Sequence, residues 1–202
     1  RHTMGWPPLT EDDVGLCSRV AHRALQRAQG DAEIMGRCGI ALLQAGRDYD
    51  SGVAVLRAAA AANPNSLPIL AMAGAGTLHC GEVEEAEAHF RRMLDLAPLD
   101  PDNRFSLTGL AMIEIIRGDY RQALALAGHS LAINMHFDPT HWMLVAAHAH
   151  LGHIDEARQR LAIWRAMAPS VTLARIRRGQ PAMKPERIGP VLEGLRLAGL
   201  AE

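Results

Sequence analysis

Gly118-Asp-Tyr120-Arg-Gln-Ala123 decides the fold, because the same short pattern returns three more times along the chain. Gly46-Arg-Asp-Tyr49, Gly81-Glu-Val83 and Gly152-His-Ile154 are its counterparts, each following one apolar helical stretch and preceding another. The apolar residues that close these turns, Tyr49, Val83, Tyr120 and Ile154, are spaced by 34, 37 and 34 residues. A small residue follows three positions later, at Gly52, Ala86, Ala123 and Ala157, and Leu56, Phe90, Ala127 and Leu161 come four after that. Prolines close three of the units at Pro64, Pro98 and Pro169, while Met135 stands where another would fall. A small residue lets two helices approach closely, the glycine suits a left-handed helix cap, and a proline stops the second helix.

Such a period reads as stacked helix pairs, each of which buries its apolar face only against its neighbours. The pairs are expected at 31–46 with 49–62, 66–80 with 83–96, 103–117 with 120–133, and 138–151 with 154–167. One interval is longer than the others, the extra length falling in Ala97-Pro-Leu-Asp-Pro-Asp102.

In its small-residue, Gly-turn-aromatic, alanine and terminal-proline pattern the chain resembles the tetratricopeptide repeat (TPR) family over residues 31–171. The resemblance implies an all-α fold, a right-handed superhelix of antiparallel helix pairs, or α-α solenoid. The expected units are 31–64, 65–98, 99–137 and 138–171. Residues 1–30 precede them, with an orphan helix over 11–29 whose first-turn acids suit the helix dipole. A tail over 172–202 follows, interrupted by Pro181 and Pro185. Its last stretch, 186–198, carries Ile188, Val191, Leu192 and Leu195 on one stripe and is expected to cap the terminal repeat.

Ala97-Pro-Leu-Asp-Pro, the Gly118 and Gly152 units and the ending Leu192-Glu-Gly-Leu-Arg-Leu-Ala-Gly-Leu-Ala-Glu202 also resemble a narrower setting. It is the C-terminal repeat region of bacterial class III adenylate/guanylate cyclases and of winged-helix transcriptional activators. That likeness implies a regulatory or interaction segment of a larger bacterial signalling protein, with the catalytic or DNA-binding domain elsewhere. The chain does not begin with Met and its first helix starts mid-pattern, so it reads as a piece of something longer.

Composition narrows the function classes. The apolar fraction is 49% but aromatics are only 4%, so the core is built from Ala, Leu, Ile, Val and Met, which favour helix. A net charge of −1 offers no field to draw in a phosphate backbone. The basic tail residues Arg175, Arg177, Arg178, Lys184 and Arg187 have no interleaved aromatics, so no nucleic-acid partner is expected. No apolar run reaches the roughly 18–20 residues of a membrane helix, so no membrane partner is expected either. Cys17, Cys38 and Cys80 are odd in number and far apart, with no C-x-x-C, which fits a reducing, cytoplasmic setting.

No residue is assigned to catalysis, to a cofactor or to a metal, and the chain is read as not an enzyme. His141, His148, His150 and His153 crowd one repeat, yet His141 and His148 stand two turns apart with no third ligand between them. A small metal-binding or enzymatic protein using that cluster is the remote alternative. The acids at Asp12/Asp13, Glu84/Glu85/Glu87 and Asp155/Glu156 sit in first helical turns, where they complement the dipole. Asp100-Pro-Asp-Asn103 lacks the glycine and distal glutamate of a calcium loop and reads as a turn. Ala73-Gly-Ala-Gly-Thr77 lies mid-helix without a strand before it, so its glycines serve close helix approach rather than a nucleotide.

The family's inward positions, carried onto this register, give an expected peptide groove. It takes Arg37, Cys38 and Gln44 from the first unit; Met72, Leu78 and His79 from the second; Phe105, Thr108, Met112 and Ile115 from the third; and Trp142, Met143 and His150 from the fourth. With one Arg and no Lys or Asn among them, a clamp on a peptide carboxylate is not expected. A Met-rich apolar wall suits an amphipathic helix or extended apolar peptide. The expected partner is therefore a protein or peptide, including a second copy of this chain as a homodimer.

Overall fold

The computed structural model describes residues 9–179 and 183–202; the N-terminal Arg1–Pro8 segment and the break expected at Pro181 lie outside the described residues. Among the described residues there are eleven α-helices, one short 3-10 turn and no strand. They form two compact units, the first from residues 9–98 with 183–184, the second from 99–179 with 185–202.

The first unit holds α1 (Glu11–Arg27), α2 (Ala32–Gln44), α3 (Tyr49–Ala62), α4 (Leu67–Cys80) and α5 (Val83–Leu96). Polar side chains start several of these helices by accepting orphan N–H groups. Thr10 and Asp13 form a reciprocal capping box at α1, Asp31 caps α2, and Asp48 caps α3. Within the unit each helix packs on its successor: α1 on α2, α2 on α3, α3 on α4, α4 on α5, with α2 also against α4.

The mid-helix glycines of α4 make this packing possible. A Cβ on Gly74 would lie 2.5 Å from the Phe90 ring of α5, and one on Gly76 would collide with Leu56 of α3. Gly39 and Gly52 do the same between α2 and α3, since a Cβ built on either would lie 3.0 Å from the other's carbonyl oxygen. These contacts are why the small positions repeat in the sequence.

The second unit holds α6 (Asn103–Arg117), α7 (Tyr120–Ile133), α8 (Asp138–His150), α9 (Ile154–Met167), α10 (Leu173–Gly179) and α11 (Gly189–Leu197), with a 3-10 turn at Pro185–Ile188. A large core cluster runs from Ala111 and Ile115 through most of α8 to Trp164, Leu173, Val191, Leu195 and Leu200. The longer connection before α6 is a turn: the Asp100 carboxylate accepts from the Asp102 N–H at 2.7 Å and its carbonyl from the Asn103 N–H at 3.0 Å.

The expected caps are present with one exchange. Gly81, Gly118 and Gly152 take left-handed φ of 83°, 83° and 79°. In the first turn Arg47 (φ 57°), not Gly46, is the left-handed residue. Gly46 is needed there for a different reason, since its Cβ would lie 2.7 Å from both the Leu42 carbonyl and the Ser18 hydroxyl. The residues before the closing prolines, Asn63, Ala97 and Ala168, leave the helical region at φ −140°, −147° and −132°. Asn134 adopts φ −148° before Met135, so that unit ends alike without its proline.

In the tail, α11 lies on α8, the first helix of the last pair, and also touches α6. The physical reason is a close crossing: a Cβ on Gly194 would come within 2.6–2.8 Å of the Ala146 Cα, Cβ and carbonyl oxygen.

Candidate peptide-docking faces

A first helix in such an array contacts its own second helix and the helices before and after it, which leaves one side free. In the first unit that free side on α2 carries Ile34, Arg37, Ala41 and Gln44, spaced at helical intervals. Ile34 is 40% exposed, and Arg37 and Gln44 are also exposed. On α4 the corresponding stripe holds Ala71, Ala75 and His79, all half-buried. Met72, also half-buried, leans on α2, its Cε lying 2.8 Å from where a Gly36 Cβ would stand. The result is a shallow apolar face with a polar rim.

Two expected members of that wall point elsewhere. Cys38 is buried with Ala21 and Leu42 because α1 packs on α2 from that side. Leu78 is also buried, and burial raises the Cys38 thiol pKa. His79 marks the edge of the face: its carbonyl accepts the Met183 N–H at 2.9 Å, so the tail segment crosses the end of α4 there. Burial, with Arg47 nearby, pushes the His79 imidazole down to about 4.

The second unit differs. Its free stripe on α6 keeps Phe105, 39% exposed, and the half-buried Met112. Phe105 meets Phe137 edge-on at 5.0 Å, and the Arg104 guanidinium lies 4.4 Å over the Phe105 ring. Thr108 is instead locked in a buried hydroxyl triangle, 2.9 Å from Ser130 and 2.8 Å from Thr140. Ile115 and Met143 are core. Trp142 and Trp164 both donate to Asp138, at 2.9 and 2.5 Å, with ring centroids 5.9 Å apart. Trp142 thus ties α8 to α9 rather than lining a groove.

On α8 the inward side is occupied. The His150 ring stacks on Tyr120 at 4.4 Å, and its Nε2–H donates to the Pro190 carbonyl at 2.6 Å at the start of α11. Sequence reasoning missed this, although α8 carried a signal: Trp142-Met-Leu-Val-Ala-Ala147 leaves it no polar side, as befits a helix covered all round.

The clustered histidines sit in different surroundings, and the buried Nδ1 atoms of His141 and His148 have no hydrogen-bond partner among the described residues. His141 Nε2–H donates to the Met135 carbonyl at 3.0 Å, and His148 faces His153 at 5.9 Å between centroids. Burial lowers the pKa of both His141 and His148. Among the described residues no three His, Cys, Asp or Glu side chains converge as metal ligands would. Glu85 pairs with Arg57 at 2.6 Å, which lowers its pKa, and Glu87 with Arg91 at 2.6 Å. In the tail Arg177 pairs with Glu202 at 2.7 Å. No described helix is long and apolar enough to cross a membrane.

Antiparallel pairs joined at glycine turns, with small residues at each crossing, define a tetratricopeptide-type helical repeat fold, and the tetratricopeptide repeat family model matches residues 114–177. The fold is similar to that of MamA, at 15% identity and a TM-score of 0.60, over 78% of this chain and 90% of that one. It is also similar to YrrB, described as a TPR protein with an unusual peptide-binding site, at 16% identity and TM-score 0.56 over 90% and 91% of the two chains. TTC0263, a thermophilic TPR protein in Thermus thermophilus, gives 19% identity and TM-score 0.60 over 83% and 89%. No curated protein sequence matches the chain.

Proposed function

We propose that the chain is a non-catalytic protein-interaction scaffold whose first-helix faces take an amphipathic or apolar polypeptide segment. The observation that carries this reading is the seating of the chain's own α11 on the α6–α8 face, which gives that face an apolar helix as its occupant. The open counterpart is the α2–α4 face, where Ile34, Arg37, Gln44 and Met72 stand ready for a ligand. Of the expected groove positions on α6, Phe105 remains exposed. Peptide binding in YrrB, as its description words it, points the same way.

The resemblance to the repeat regions of cyclases and winged-helix activators supports a regulatory part in a larger bacterial signalling protein, working in the cytoplasm. Selection of binders from a library of amphipathic helical peptides tests the docking reading. A selected peptide should lose at least tenfold in affinity on Ile34→Glu; selected peptides indifferent to both Ile34→Glu and Phe105→Glu would refute it.

Self-association is the second reading, favoured by the outward stripe of α1, where Leu16 and Val20 are 54% and 55% exposed. Light scattering of wild type and Val20→Glu across a concentration series tests it. A strict monomer at high concentration removes it.

A further inference from the structure

We propose that the α6–α8 face is a helix-docking site which α11 fills in cis, and that its ligand in trans is an amphipathic helix of about three turns with glycine at the crossing over Ala146. That helix would bind by displacing α11. The inference rests on the interaction reading above and adds to it the identity of the surface and the form of the partner.

The occupant describes the site. α11 presents Val191, Leu192, Leu195 and Ala198 inward, all buried, and turns the Glu193–Arg196 pair outward. Gly194 meets the α8 backbone at Ala146 so closely that any Cβ must displace something. Small residues, three to four apart from large apolar ones, are what lets two helices touch along their backbones. The face therefore selects a helix with a small residue at the centre, large apolar residues three before and one after it, and a carbonyl at the N-terminal end for His150. A bulky residue at the centre is excluded.

Three features make α11 a replaceable occupant. It spans nine residues, below the roughly 12–15 at which an isolated helix becomes stable in water. Gly189 and Gly194 lower its helix propensity further. Among the described residues its polar anchors are the His150–Pro190 hydrogen bond at its start and, past its end, the Leu173 N–H to Ala201 carbonyl bond at 2.8 Å, the Arg165 contact with the Gly199 carbonyl at 3.4 Å and the exposed Arg177–Glu202 pair at 2.7 Å. An intramolecular occupant of this kind lowers the apparent affinity of any competitor by the fraction of chains in which the face is free.

The test uses the full chain, its Gly194→Leu and Val191→Asp variants, both altered on α11 and not on the face, and a fluorescein-labelled peptide of residues 185–202 with the wild-type sequence, read by anisotropy. Wild type should bind the peptide weakly. Gly194→Leu, whose own α11 no longer fits, should bind it at least tenfold more tightly, and Val191→Asp severalfold more tightly. The same peptide carrying Gly194→Leu should not bind any of the three proteins. The proposal is overturned if both folded variants bind no better than wild type. It is equally overturned if both variants melt the whole second unit by circular dichroism, since α11 is then integral core. Dimers formed by exchange of α11 between copies in light scattering would overturn it in favour of a second copy as occupant. Failure here with library peptides still binding at Ile34 sinks this inference alone; loss of both sinks the interaction reading.

Discussion

The imidazole of His150 and the carbonyl of Pro190 meet at 2.6 Å, joining the end of α8 to the start of α11. Removing that bond with His150→Ala should cost about 1 kcal/mol globally, the usual net worth of one hydrogen bond. The local effect should be larger. Hydrogen exchange across 189–198 should quicken well before exchange in α8 does, because a two-and-a-half-turn helix has little else to hold its first turn.

Asp138 accepts both indole N–H groups of Trp142 and Trp164, and Trp164 is fully buried. Asp138→Ala leaves two donors without that partner in the core and should destabilise the chain by about 2–4 kcal/mol. Asp138→Asn, which keeps one acceptor, should cost about half as much. Denaturant unfolding followed by tryptophan emission reads both, with an added red shift in the native spectrum of the alanine variant.

Glycines at crossings and glycines at the surface should respond with opposite signs. Gly74→Ala drives a methyl to 2.5 Å from the Phe90 ring, and overpacking of about 1–3 kcal/mol outweighs the gain of under about 1 kcal/mol in helix propensity. Gly128 on α7 has nothing within 4 Å of the same added atom. There Gly128→Ala should stabilise by about 0.5–1 kcal/mol. Paired thermal melts decide it.

Acidification should weaken the fold through its buried histidines. The folded chain holds His79 neutral, with its pKa pushed down to about 4 by burial, whereas the unfolded chain binds that proton below its ordinary 6.5. Protons therefore favour the unfolded state, and this contribution is whole above about pH 6.5 and lost as pH falls toward 4. His89, His141 and His148 shift in the same direction, again mainly by burial. Between pH 7 and pH 5 His79 should account for about 1–2 kcal/mol, allowing for its partial contact with solvent. His79→Gln should flatten the pH dependence of the denaturation midpoint.

Helix positions were legible because their signals are local. A glycine cap and a closing proline act within a few residues, and the helices Leu67–Cys80 and Val83–Leu96 end where Gly81 and Pro98 place their stops. The role of Gly46 was harder to read, since its need arises from Ser18 on another helix. Of the positions carried onto the register, Arg37, Gln44 and Phe105 lie exposed on first helices. Cys38 and Trp142 sit one face away, drawn into packing by α1 and by Asp138, and no spacing rule reports such long-range partners. The seat of α11 depends on Gly194 meeting Ala146, forty-eight residues distant, which only the folded chain brings together.

The most direct test of a binding scaffold is an NMR titration of the labelled full chain with a library-selected amphipathic peptide. Amide shifts should move at Ile34, Arg37, Gln44 and Met72, on the free side of α2 and α4, and saturate with the peptide. Shifts confined to the second helices α3 and α5, or none at saturating peptide, would contradict the account.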